Sequence, residues 1–423
     1  MSGDRLGGAL WDITIPKPLD AEERGRRIVE AAFEDRQKQR GRAFNRFRYK
    51  SSAALACGLA ALLAVLMLSP AGAAVRDWVD EAISSGAPRP EPTLAKIPGG
   101  GKLLVQTGEG PWVVQADGSR RPLGDYEAAS WSPHGLFVAA AKGRTLSALE
   151  PDGTPRWSIT AGKRVAFPGR RIVSPTWSPS GERIAYRSGF DLRVIAGDGT
   201  EDRLLDGSID VGTPPDARIS PAYVPPEWSP TSEGELAYVT GAGRLRILDS
   251  ETGAVLAAAP AMGRITWMDW GANGKKILEA SPGRLRLRPV LPAGTPSRPA
   301  LGRAHRLPLS PGAAVVDAAL APKRPLVAAS ITHWKKHGTY SEIVIFRPGK
   351  GSRVLLTVPG SLGQVVWSPD GRRVLAAWPG ANQWLFLPLG GGRGQAIANI
   401  SRAFSPDGQP TSFPLVEGWC CRR

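Results

Sequence analysis

The sequence predicts a mostly β chain: a seven-bladed β-propeller closed by pairing of its N- and C-terminal strands, preceded by a single transmembrane helix and a short cytoplasmic helix. Three observations carry this reading. An aromatic-Ser-Pro turn recurs as Trp131-Ser-Pro-His-Gly, Trp177-Ser-Pro-Ser-Gly, Trp228-Ser-Pro-Thr, Trp270-Gly-Ala-Asn-Gly and Trp367-Ser-Pro-Asp-Gly, with altered copies at Leu320-Ala-Pro-Lys-Arg and Phe404-Ser-Pro-Asp-Gly. The intervals between these seven anchors are 46, 51, 42, 50, 47 and 37 residues, near the period of one four-stranded blade and too long for a leucine-rich or tetratricopeptide unit. Upstream of the repeats, no charged residue occurs from Ser52 to Val75, about the ~20 residues a helix needs to cross a bilayer.

Each anchor reads as a hairpin. In Ser-Pro-Asp-Gly the serine starts a type I turn, proline presets the second position, aspartate suits the third and glycine closes the fourth. A short apolar strand ending in the aromatic precedes the turn, as in Val365-Val366-Trp367, and an alternating strand such as Arg183-Ile184-Ala185-Tyr186 follows it. Runs such as Leu192–Ile195, Leu245–Leu248 and Ile343–Phe346 supply a third strand, and Arg203-Leu204-Leu205 a fourth. The five tryptophans 131, 177, 228, 270 and 367 are then blade core.

These turns and strands resemble the WD40-like repeat family of TolB-type periplasmic propellers over roughly residues 97 to 410. The resemblance implies the propeller fold. For function it implies a binding platform, a scaffold or an accessory domain of an enzyme.

The two ends of the array are complementary. Lys102–Gln106 and Pro111–Gln115 are strands without a preceding Trp-Ser-Pro turn, while Phe404-Ser-Pro-Asp-Gly is a turn with little chain after it. Joined, they make one blade, in which Ala398–Phe404 is expected to be the innermost strand, so the ring has no open ends. The expected division is a cytoplasmic tail (1–50), a transmembrane helix (51–75), a proline-rich linker (76–96), the propeller (97–413) and a C-terminal tail (414–423).

Seven basic residues and no acid lie between Arg36 and Lys50. That excess places the N-terminus in the cytoplasm and the large domain outside, in a single-pass protein of the cell membrane. A cleaved signal peptide is the alternative, with Ala71-Gly72-Ala73 as its small-residue site, although a 50-residue leader is long for one. In the tail, Asp20 caps a helix from about Ala21 to Gln39. Trp11, Ile13, Ile28, Val29 and Phe33 are either stray apolar groups on a solvated segment or a docking surface for a cytoplasmic protein.

Candidate chemistry is sparse. There is no Gly-x-Ser-x-Gly, Walker-type, Gly-x-Gly-x-x-Gly or His-Glu-x-x-His motif, so neither catalysis nor a cofactor is expected. His333-Trp-Lys-Lys-His337 reads as a solvated loop rather than a metal site. Adjacent Cys420 and Cys421 could form a vicinal disulfide, pair between chains or bind a soft metal. The formal charge is +16, and no acid lies between Ala280 and Val316. Arg284, Arg286 and Arg288 alternate with period two and so share one strand face. With Arg303 and Arg306 they form either an ordinary solvated face or a basic patch for an anionic polymer. The function expected is a non-enzymatic, membrane-anchored extracytoplasmic module that binds a protein or an anionic cell-envelope polymer, and nucleic acid is not expected. The rivals are a transmembrane regulator with an anti-sigma-like layout and an enzyme using the propeller mouth. The Thr213–Pro226 insertion and the His333–Tyr340 segment are the longest candidates for a binding rim.

Overall fold

The computed structural model describes Pro90–Glu91 and residues 94–421, except 161–170, 189–190, 208–223, 241–242, 261–264, 282, 292–299, 336–337 and 406–411. The tail, its helix, the apolar span and Trp11, Ile13, Ile28, Val29 and Phe33 lie outside the described residues. Among the described residues no helix is long and apolar enough to cross a membrane.

Seven antiparallel sheets follow one another along the chain. Blade 2 is Ala128–Trp131, Val138–Lys142, Thr145–Leu149 and Pro155–Thr160. Blade 3 is Ile172–Trp177, Arg183–Ser188, Asp191–Ala196 and Arg203–Asp206, and blade 4 is Glu227–Trp228, Glu235–Val239, Leu245–Asp249 and Val255–Ala258. Blade 5 is Trp267–Trp270, Lys276–Ser281 and Arg284–Leu291, with a broken outer strand at Ala300–Leu301 and His305–Arg306. Blade 6 is Ala314–Leu320, Val327–Lys335, Gly338–Arg347 and Gly351–Pro359, and blade 7 is Val365–Trp367, Arg373–Trp378, Gln383–Pro388 and Gln395–Ala398. Blade 1 is assembled from both ends of the array: Leu415–Cys420 is innermost, followed by Lys102–Thr107, Gly110–Val114 and Arg120–Pro122. The innermost strands touch in cyclic order from blade 1 to blade 7 and back to blade 1, so the ring is closed. Because strands alternate in direction, the turns joining strands 1–2 and 3–4 share one face of the ring. The 2–3 hairpins and the blade-to-blade crossovers share the other.

The recurring turn works through its serine. In blade 7 the Gly371 amide donates to the Ser368 carbonyl (2.8 Å) and the Arg373 amide to the Ser368 hydroxyl (2.9 Å), while that hydroxyl donates to Asp370 (2.6 Å). Gly371 has φ 65°, a left-handed value that glycine adopts without steric cost. The same pattern returns at Ser178, whose hydroxyl accepts from Arg183, and at Ser132, whose hydroxyl accepts from Phe137. Trp177, Trp228, Trp270 and Trp367 are buried, while Trp131 is half-buried. Trp228 donates its indole N–H to the Thr176 carbonyl of blade 3 (3.1 Å), and Trp367 to the Ala319 carbonyl of blade 6 (2.9 Å). These two aromatics therefore tie blades 4 and 7 to the blades before them, while Trp270 donates to the Gly274 carbonyl of its own turn (3.0 Å).

The closure differs from expectation in its strand. Ala398–Phe404 is not innermost: Gln395–Ala398 is the outer strand of blade 7, Ile400–Ala403 is a helical turn, and Phe404 plugs the seam between blades 7 and 1 against Trp112 and Trp384. The innermost strand is Leu415–Cys420, in the segment expected to be a tail, and it pairs antiparallel with Lys102–Thr107. Trp419, not Phe404, occupies the repeat's aromatic position, with its ring edge-on to Phe386 (5.5 Å) and its N–H on the Gly100 carbonyl (2.8 Å). The sheet also takes in Pro90–Glu91, parallel to the outer strand of blade 7, so the propeller begins inside the expected linker. Cys420 and Cys421 are joined as a vicinal disulfide. Their sulfurs sit where a side chain on Gly135 of blade 2 would be.

This seam predicts a sharp asymmetry. Trp419→Ala should lower the unfolding free energy by about 3–5 kcal/mol, and removal of residues 414–423 should abolish the cooperative transition. Leu415→Ala, on an exposed side chain of the same strand, should cost less than ~1 kcal/mol. Chemical denaturation followed by tryptophan fluorescence checks all three, and equal losses for Trp419 and Leu415 would refute the closing role.

Candidate functional site

The hairpin of blade 6 stands out from the ring. Its second and third strands have 9 and 10 residues, against 5 in each of the same strands of blade 2, so it extends roughly 13 Å further. It emerges on the crossover face. The segment expected as a loop is strand up to Lys335 and again from Gly338, because the His333↔Tyr340, Trp334↔Thr339 and Lys335↔Gly338 pairs continue the ladder.

Cross-strand packing stiffens the tip. The His333 and Tyr340 rings stack at 4.6 Å, and the Lys335 ammonium lies 4.5 Å from the Tyr340 ring centre. His333 is buried, and its Nε2 meets a Glu342 carboxylate oxygen at 3.1 Å. Below them, the Ser341 hydroxyl donates to the Gly360 carbonyl and accepts from the Leu362 amide, bracing the hairpin on the crossover into blade 7. Alternation sends Trp334 to the opposite face of the ribbon, where its side chain is 64% exposed. A large aromatic presented on a rigid element is the typical anchor of a protein interface.

The arginine pattern of blade 5 resolves differently. Arg284, Arg303 and Arg306 are exposed, but Arg286 and Arg288 are buried. Arg288 holds Glu279 with two nitrogens and donates a third bond to the Gly302 carbonyl (2.8 Å). Burial lowers the Arg286 pKa, opposed by the charge of Glu279. A middle strand of a propeller blade is covered on both faces by neighbouring blades, so a period-two polar face there meets protein, not water. The weaker copy at Arg246 follows the same rule through Asp206, and Arg193 through Asp202. Thus the five arginines do not form one surface patch.

Sequence reading missed the acidic channel. The innermost strands carry Glu227, Asp269, Asp317 and Glu417 and no Lys, Arg or His, although the whole chain is strongly basic. Two of the four also weld seams: Asp269 accepts from the Leu320 amide of blade 6, and Asp317 from the Val365 amide of blade 7 (2.9 Å). Burial pushes Asp269 and Asp317 up to about 6, each opposed by those amide bonds. Burial and then the charge of Asp269 raise Glu227 well above its ordinary range. Glu417 is exposed to the solvent of the channel but ringed by protein, and that partial desolvation followed by the Asp317 charge pushes it up to about 7. The signal was one acid in each of four innermost strands, one to three residues before the strand's aromatic or apolar end. Among the described residues no group of three or more His, Cys, Asp or Glu side chains is arranged to hold a metal ion.

The closed ring of seven sheets, completed by the last strand of the chain, defines a seven-bladed β-propeller. No protein-family model matches the sequence, and no curated protein matches it. Among solved structures, the chain is similar to the β-propeller domain of Cps50 (Swd1) from Myceliophteria thermophila, at 17% identity and a TM-score of 0.48, covering 68% of this chain and 96% of that one. It is also similar to KlHsv2 with loop 6CD replaced by a Gly-Ser linker, at 12% identity and a TM-score of 0.47, covering 71% and 94%. The assignment rests on the strand pairing itself.

The channel acids give a pH prediction. Their folded pKa values lie above the unfolded ones, so the native state binds protons more tightly. The stabilisation is full below about pH 4 and is lost as pH rises through about 6 to 7. The melting temperature should therefore be higher near pH 5 than near pH 8, and Glu417→Gln should raise it near pH 8 and narrow the difference. A variant with the same pH profile as the wild type would show that Glu417 does not contribute.

Proposed function

We propose that this chain is a non-catalytic, membrane-anchored extracytoplasmic binding module that captures a partner protein on the crossover face of its propeller. The observation that carries the reading is Trp334, exposed on a braced hairpin that overreaches the ring. Burying such a side chain in a partner's apolar pocket contributes ~2 kcal/mol or more, and little ordering entropy opposes it because the hairpin is already held. The anchor is supported by the uncharged stretch Ser52–Val75 with basic residues before it.

Two measurements test the two halves of this reading. A photoreactive residue at Lys335 should give one dominant protein adduct in intact cells, lost on Trp334→Ala with an unchanged melting temperature. The same probe at Val255, on the outer strand of blade 4, should not give that adduct, and equal labelling from both positions would refute the docking face. For the anchor, a reporter active only outside the cytoplasm should work when fused after Arg423 and fail when fused after Lys50. Activity at position 50 would reverse the assignment.

A further inference from the structure

On the turn face, opposite the hairpin, the first turns of blades 6 and 7 border an open cleft of about 450 Å³. Arg324, Arg372 and Arg373 line it together with Asp370, and Gly99 and Gly391 contribute main-chain wall. Gly371 lies beside Pro322 and Lys323 of blade 6, which a side chain placed there would meet at ordinary contact distances of 3.7–3.9 Å. A side chain on Gly99 would crowd the Arg373 stem at 3.1 Å. Both glycines have positive φ, 65° and 100°, so the backbone shape favours glycine at each.

The charges in this cleft are not used by the fold. Elsewhere Arg193, Arg203 and Arg288 each hold a carboxylate. The guanidinium groups of Arg324, Arg372 and Arg373 make no hydrogen bond or ion pair among the described residues. The carboxylate in the cleft serves its own turn, where one Asp370 oxygen accepts from the Ser368 hydroxyl and from the Arg372 amide (3.0 Å). Three cations against one acid leave an excess of positive charge on one concave wall. Holding unpaired like charges together is unfavourable in the empty cleft and becomes favourable when a multivalent anion enters.

We propose that this cleft binds a phosphate group. A carboxylate saturates one guanidinium fork, whereas a phosphate offers more acceptor oxygens and up to two charges, which suits a cleft lined by three arginines. The cleft is larger than phosphate alone and opens to solvent, so the group can enter free or while attached to a chain. The site is separate from Trp334 and does not depend on the partner-docking reading.

The test is calorimetric titration of the purified full-length chain at low ionic strength with two probes, inorganic phosphate and a glycerol phosphate oligomer. At least one should bind with one-to-one stoichiometry. Arg324→Ala with Arg372→Ala should weaken it about tenfold or more, since charge-assisted bonds are lost. Both side chains are exposed on turns, so the melting temperature should not move. If it falls, Arg324→Gln alone carries the same expectation with a smaller loss. Arg284→Ala with Arg306→Ala removes two exposed charges from blade 5 and should leave the affinity unchanged. Binding of phosphate identifies the free ion as sufficient, and binding of the oligomer alone identifies a chain-borne phosphodiester. Failure of both probes, or an equal loss from the blade 5 pair, overturns the site.

Discussion

Pairing of Leu415–Cys420 with Lys102–Thr107 joins chain segments more than 300 residues apart, and every other sheet in the ring relies on it. A propeller blade has no core of its own: its two faces are buried only when a neighbour lies on each side. The cluster at this seam shows the dependence. Leu103, Val105 and Trp112 of blade 1 pack with Phe386 and Ile397 of blade 7, and Phe404 and Trp419 fill the space between them. Opening the seam would expose both apolar faces at once, and no local strand pairing compensates for that loss.

The same geometry governs the charges. Because middle strands are covered on both sides, ionisable groups on them have to find partners inside, as Arg288 does with Glu279 and Arg193 with Asp202. Other charged groups sit on the turns and on the innermost strands. On the turns they include Arg324, Arg372 and Arg373; in the channel they are acidic, at Glu227, Asp269, Asp317 and Glu417. A chain with a formal charge of +16 thus keeps a negative interior passage. The acids there lean toward the protonated form because burial and mutual repulsion both disfavour ionisation.

The two faces consequently differ in character. The turn face is made of short reversals, several locked by a serine hydroxyl, and Arg324, Arg372 and Arg373 border a cleft on it. The crossover face carries the long hairpin of blade 6, which presents Trp334 to solvent. Recognition of an anion and of a protein surface can therefore proceed on opposite sides of one rigid body.

The sequence by itself determined the fold class and the blade number, because the turn that repeats is local: serine, proline, an acid or its substitute, and glycine settle the reversal within five residues, and the aromatic before it marks a buried strand end. It also revealed that the two ends must combine. It did not reveal which strand closes the ring, since Phe404-Ser-Pro-Asp-Gly copies the turn perfectly while Trp419 lacks it, and only the register against Lys102–Thr107 distinguishes them. Nor could alternation tell a solvated arginine from a buried one: Arg284 and Arg288 are indistinguishable in period, yet in the closed ring Arg284 meets water while Arg288 is buried against Glu279 on the adjacent strand of its own blade. The arginine cleft and the acidic channel were invisible for the same reason. Each gathers residues from separate blades, and distance along the chain carries no information about which turns or innermost strands the closed ring will bring side by side.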